Sequence, residues 1–304
     1  MSGKKIKILS YNVQQTPARS VRSLAEGLVE NLNNDENFKY DVVCLQEVFW
    51  NPHRRIISKG LKKGGYKHQI KKSGSEIPDW VPFFGWFSQD SGLFFASKHP
   101  IEKRKRRFEK FEAPGEEFDF VAQKGVFYTE VNINEKKLFV FNTHLQSGEH
   151  PSLRKLQLSQ IKASIDREMC NMVDIHDLPK NEDGKEYIGD ISIILTGDLN
   201  IDEIFRKDEY EDMTNNIFNN GRDIYRDKHP DDPGFTHVSE EKSRRLDYIF
   251  DFNYITIPED KIGDNGISKI KIKEIEVLEA EVVKMKTRGR DISDHFGVGI
   301  TIKI

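Results

Sequence analysis

Apolar residues fall at every second position at the end of the chain, at Phe296, Val298, Ile300, Ile302 and Ile304, the pattern of a half-buried strand. Asp294 and His295 stand where that alternation begins. A turn aspartate is the ordinary occupant of such a place; the sharper reading is a metal or phosphate ligand beside a general base. At the other end, "KIKILSYNV" reads as a strand ending at Asn12. Val21, Leu24, Ala25, Leu28, Val29 and Leu32 then recur at helical spacing, so an amphipathic helix is expected over 18–33. "DVVCLQE" is a short apolar run suited to a strand buried on both faces and ending at Glu47. "SGLFFAS", "KGVFYTEVNI" and "KKLFVFNTHL" follow as strands, the last two joined by a turn at Asn134 and Glu135. A helix is expected over 152–170, with Leu158, Ile161, Ile165 and Met169 along one stripe. "ISIILTGDLN", "RRLDYIF", "IKIKEIEVLEAEVV" and the closing strand complete the order. This is a strand-rich α/β pattern without the strict alternation of a Rossmann or barrel fold.

With 304 residues and no break in composition, a single domain over 1–304 is expected. A net charge of -3 exerts no global pull on nucleic acid, although a local basic patch stays open. The charged runs "KRKRR" (103–107) and "KNEDGKE" (180–186) read as solvated loops or strand ends. The first residues lack the apolar stretch of a signal peptide, and nowhere do about eighteen apolar residues run together. No transmembrane anchor is therefore expected, and a cytoplasmic monomer is the default, with secretion by another route left open. Cys44 and Cys170 read as free thiols, with one disulfide as the alternative.

The polar residues that end the apolar strands carry the chemistry: Asn12, Glu47, His144, Asp198 with Asn200, Asp247, and Asp294 with His295. A buried carboxylate costs several kcal/mol unless it is paired or coordinating. One such residue has an easy structural excuse; a set on many strands does not, and strand ends on one rim converge in a cleft. Carboxylates and amides without cysteine suit a hard divalent cation such as Mg²⁺ rather than zinc. Two histidines beside such an ion suit attack of water on a phosphate ester. Signatures of the GxxxxGK, HExxH and GxSxG types are absent, so triphosphatase, zinc-peptidase and serine-hydrolase readings have no support.

"LSYNV", "LQEV", "NTHLQ", "TGDLN", "RRLDYIF" and "SDHFGV", in that order from Leu9 to Val298, resemble the endonuclease/exonuclease/phosphatase superfamily that includes deoxyribonuclease I. The resemblance implies a four-layer αββα sandwich, two packed β-sheets flanked by helices. Within the superfamily, "SGLFFASKHPI", "DFVAQKGV" and "PGFTH" are most similar to the neutral and bacterial sphingomyelinases. The phosphoinositide 5-phosphatase signatures are departed from, with Thr196-Gly197-Asp198 and Arg244-Arg245-Leu246-Asp247 in their places.

The resemblance implies roles for each residue. Glu47 is the main metal ligand, Asn12 binds metal or phosphate, and Asp294 assists the metal. Asp198 and Asn200 flank Leu199, so on an extended segment both point the same way, toward the water or leaving oxygen and a phosphoryl oxygen. His144 donates to the phosphate or protonates the leaving alkoxide. His295 is the general base, since an ordinary imidazole titrates at about 6.5, and Asp247 orients it. Taken singly, each has a bland alternative: a turn Asn, a packed histidine, a structural Asp-Asn turn. Lys124 and Asp119 of "DFVAQKGV" are substrate-binding candidates. So are Trp80 and Trp86 in "PDWVPFFGWF", which would dip into a lipid interface or wall a headgroup pocket, or else form an aromatic mini-core under a loop. The expected activity is a Mg²⁺-dependent phosphodiesterase, with Mn²⁺ or Co²⁺ able to substitute. Its expected reaction is sphingomyelinase C-type hydrolysis of sphingomyelin to ceramide and phosphocholine, on phospholipid at a membrane or micelle surface. A DNA or RNA endonuclease, or a phosphoinositide phosphatase, is the alternative within the superfamily.

Overall fold

Side chains alternate across a strand, so Lys5–Asn12 sends Ile6 and Ile8 to one face and Leu9 and Tyr11 to the other, and all four are fully buried. A strand covered on both faces needs a layer on each side. The computed structural model, which describes residues 3–16, 21–74, 90–102, 106–113, 115, 122–172, 187–189, 191–239, 242–257 and 268–304, supplies both. One mixed sheet runs Glu276–Val283, Gly297–Lys303, Lys5–Asn12, Val42–Gln46, Phe94–Ser97, His68–Ile70. The second runs Gly221–Asp223, Asp247–Phe252, Ile191–Asp198, Lys136–His144, Gly125–Ile133, Arg107–Lys110.

Three apolar layers hold the sandwich together. Ile6, Ile8, Val42, Val298 and Ile300 meet Phe127, Leu138, Val140 and Ile194 between the sheets. Leu9, Val43 and Leu45 pack outward on Ala25, Leu28, Ile57 and Leu61 of the helices Arg22–Asn34 and Asn51–Lys63. On the far side Phe139, Phe141, Ile193 and Leu195 pack on Leu158, Ile161 and Ile165 of the helix Pro151–Cys170. Each such aliphatic side chain contributes roughly 1.5–3 kcal/mol on burial. The four-layer αββα architecture is the one the family resemblance implies. Cys44 and Cys170 are buried and carry no disulfide. Among the described residues no helix is long and apolar enough to cross a membrane.

Four features differ from the sequence pattern. The closing strand is buried on both faces, because Gly297, Gly299 and Thr301 fill its second face; a Cβ on Gly299 would lie 2.6 Å from the Tyr40 hydroxyl. "IKIKEIEVLEAEVV" is two strands: Lys269–Ile272 joins a small separate sheet, and Glu276–Val283 is an edge of the first main sheet. The helix Asn51–Lys63 is not expected from the sequence: its inner face mixes Asn51, His53, Arg54 and Ser58 with Ile57 and Leu61, all buried. The first helix begins at Arg22. At Asn134 and Glu135 the expected turn is tight, both residues having positive φ (48° and 70°).

Candidate active site

Strand register assembles the site. In the second sheet His144 lies beside Asp198 through a parallel pair, and Asp198 beside Asp247 through an antiparallel one. In the first sheet Asn12 lies beside Gln46, which puts Glu47 at the next position on the rim. His295 precedes the closing strand, whose register against Lys5–Asn12 brings it to the same end. Six of the eight polar strand-end residues thus meet in one place.

The distances define two linked groups sharing Asp198. The amide nitrogen of Asn12 donates to Glu47 Oε1 and to Asp198 Oδ2, 2.9 Å in each case, and so holds the two carboxylates together. His144 Nε2 lies 3.5 Å from Asp198 Oδ2 and 3.9 Å from Glu47 Oε1. Atoms of Glu47, His144 and Asp198 fall within 4.8 Å of one another, a spacing that a single cation can bridge. Across Asp198, His295 Nε2 is 3.8 Å from Oδ2, while His295 Nδ1 pairs with Asp247 Oδ2 at 2.8 Å. The oxygen-rich donor set of the first group fits a hard divalent ion. The second group has the base-and-orienting-carboxylate form of a catalytic pair.

The backbone is strained around this centre. Gln14, Glu47 and Asn200 all have positive φ, at 44°, 58° and 53°. Such conformations cost of order 1–3 kcal/mol each in a non-glycine residue and gather where function requires them. Gly197, next to Asp198, has no room for a side chain: a Cβ there would sit 2.2 Å from the Thr143 carbonyl oxygen. Behind the carboxylates a buried polar bridge spans the sheets, Gln46 Nε2 donating to Asn142 Oδ1 at 2.8 Å. Arg245 clamps the loops below, donating to Glu203 Oε2 (2.7 Å) and Asp223 Oδ2 (2.7 Å) while stacking 4.5 Å over the Tyr248 ring.

Electrostatics set two protonation states apart. Burial raises the Glu47 pKa, against the opposing pull of the Asn12 hydrogen bond and the His295 charge. For His295, burial alone would lower the pKa, but Asp247, Asp198 and Asp294 outweigh it and push the value up to about 10. Unfolded histidine titrates at about 6.5. A folded pKa above the unfolded one contributes stability that is complete below about 6.5 and is lost as pH rises toward 10. The melting temperature of EDTA-treated protein should therefore fall between about pH 7 and 10 more steeply than that of His295→Asn. Parallel curves for the two proteins would contradict the charged pair.

The remaining sequence candidates divide. Lys124 is buried near Glu47, and its Nζ donates to the Leu145 carbonyl at 2.5 Å. Asn200 is not on an extended segment. Its left-handed φ turns the chain after Asp198, and its amide nitrogen donates to the same Leu145 carbonyl at 3.1 Å. The two side chains therefore do not point the same way by strand alternation. Asp294 accepts from Gln14 Nε2 and, at 3.2 Å, from Ser293 Oγ, and belongs to neither group of converging ligand atoms. Asp119, Trp80 and Trp86, with all of "PDWVPFFGWF" and "KNEDGKE", lie outside the described residues. Of "KRKRR", residues 103–105 also lie outside them, while Arg107 opens a strand and lies 3.5 Å from Glu168.

Sequence reasoning missed Gln46, Asn142 and Arg245 as supports, and His237 as a neighbour. The His237 ring meets that of His295 edge-on, with centroids 4.9 Å apart. The available signal was a polar residue at an inward position of an apolar strand, as Asn142 is in "LFVFNTH".

The fold and this site define a class. Residues 9–295 match the family model described as Endonuclease/Exonuclease/phosphatase family, and the chain belongs to that family. Among curated proteins it is 27% identical over 264 residues to "Sphingomyelinase C 2" of Leptospira interrogans serogroup Icterohaemorrhagiae serovar Lai, covering 81% of this chain and 39% of that protein. The chain spans between 34% and 62% of the length of the first curated relatives it matches. Among solved structures it resembles a Staphylococcus aureus beta toxin variant with bound magnesium ions (TM-score 0.62, 21% identity, 98% of this chain and 99% of that one). It resembles truncated Caenorhabditis elegans TDP2 to a similar degree (TM-score 0.64, 17% identity, 99% and 98%).

Proposed function

We propose that this chain is a Mg²⁺-dependent phosphodiesterase that hydrolyses sphingomyelin to ceramide and phosphocholine. The carrying observation is the junction at Asp198 of a cation-binding carboxylate pair (Glu47 and Asp198, held together by Asn12) with a base pair (His295, Asp247). His295 Nε2 takes the proton of a water whose oxygen attacks phosphorus. Asp247 holds Nδ1 and stabilises the imidazolium so formed. The P–O bond to ceramide breaks, and His144 hydrogen-bonds the phosphate or protonates the leaving alkoxide. Lys124 adds positive charge beside Glu47. When bound by the Glu47 group, the divalent ion screens phosphate charge and offsets the carboxylates that keep His295 protonated.

Support for a lipid comes from the sphingomyelinase relatives and from an open groove of about 790 Å³ beside Ser293 and Asp294. Val21, Leu24, Val238 and Phe296 give it apolar walls, and Arg288 and Arg290 beside Asp291 and Asp294 an end of mixed charge, a combination that suits a zwitterionic amphiphile better than a polyanion.

Parallel assays on sphingomyelin in mixed micelles, supercoiled plasmid and a soluble inositol polyphosphate test this reading. Phosphocholine release is the expected result. Plasmid nicking that copurifies with the protein and vanishes in His295→Ala, without phosphocholine, would assign a nuclease instead. Glu47→Gln should raise the half-activating Mg²⁺ concentration at least about tenfold, read from a metal titration of the rate; an unchanged titration would place the ion elsewhere.

A further inference from the structure

None of the catalytic candidates lines a smaller cleft, of about 250 Å³, at the far edge of the first sheet. Its walls come from two elements. The helix Asn51–Lys63 presents Arg55 and Lys59 one turn apart on an exposed face, and the chain leaving the edge strand His68–Ile70 adds Lys71 and Lys72. Its floor is buried and polar, made by Ser58 and Arg54. Arg54 is already fixed: its guanidinium donates to Asp90 at 2.7 and 2.9 Å and to the Val48 carbonyl at 2.9 Å. The floor is therefore preformed, which lowers the cost of binding.

No carboxylate lines the cleft among the described residues. Like charges four apart on a helix repel, and Lys71 brings a further cation from a second element. An anion in the cleft removes that repulsion. The guanidinium fork of Arg55 and the ammonium groups of Lys59 and Lys71 are the donors that phosphate oxygens take best. We propose that this cleft binds a phosphate group, either free or on a lipid headgroup, at a site separate from the catalytic centre.

Calorimetric titration of inorganic phosphate into EDTA-treated protein tests this, using wild type, Lys59→Glu/Lys71→Glu and Glu47→Gln. Saturable binding should persist in Glu47→Gln and weaken at least about tenfold in the double charge reversal. The double variant should keep the wild-type melting temperature and turnover of a soluble diester. Sedimentation with phosphatidylcholine vesicles, with and without phosphatidic acid, separates the sources. Capture by phosphatidic acid that the double variant loses assigns a lipid phosphate, and phosphate binding without capture assigns a soluble one. Equal behaviour of wild type and double variant in both arms, or loss of phosphate binding in Glu47→Gln alone, would overturn the proposal.

Discussion

Replacing His295 with alanine should lower kcat at least about a hundredfold, the loss expected for a general base. Its imidazole is fixed at one nitrogen by the buried Asp247 carboxylate, at 2.8 Å, with the other nitrogen turned to Asp198. KM should change far less, because the ring contributes to proton transfer rather than to holding the substrate. Circular dichroism should report an intact fold. A near-normal kcat would remove His295 as the base and pass that role to Asp198, which sits between the two histidines.

Removing divalent metal should have a comparable or larger effect. With EDTA the rate should fall at least about a hundredfold, and added Mg²⁺ should restore it. The reason lies in the charge pattern. Glu47, Asp198 and Asp247 converge where an anionic phosphodiester must sit, and without a cation they repel it. Asp247 and Asp198, with Asp294, also push the His295 pKa up to about 10, against the proton acceptance a base must perform at neutral pH. Both obstacles have one cause. Full activity in a metal-stripped sample would end the metal-dependent reading.

Much of this centre was legible because each residue ends a strand whose apolar run is plain. "DVVCLQE", "LFVFNTH" and "ISIILTGD" announce both the strand and the place where polarity returns, and the sheet register then aligns His144, Asp198 and Asp247. Residues acting through backbone geometry were less legible. Asn200 reads as one of an alternating pair, but a left-handed φ redirects it, and no periodicity encodes that. Arg245 was visible only as one of two arginines before Asp247, while its partners Glu203 and Asp223 are distant in sequence. The helix Asn51–Lys63 was hidden for a related reason: a buried arginine paired with Asp90 stands where an apolar residue would have marked the stripe. The closing strand looked half-buried because glycine and threonine read as exposed, whereas here they permit close approach.

The most direct measurement is the fate of solvent oxygen. Sphingomyelin hydrolysed in ¹⁸O-labelled water, with products analysed by mass spectrometry, should yield phosphocholine carrying one ¹⁸O atom and unlabelled ceramide. That outcome follows if water activated by His295 attacks phosphorus and the P–O bond to ceramide breaks. Label in the ceramide hydroxyl, or label incorporation that proceeds equally in His295→Ala, would contradict it.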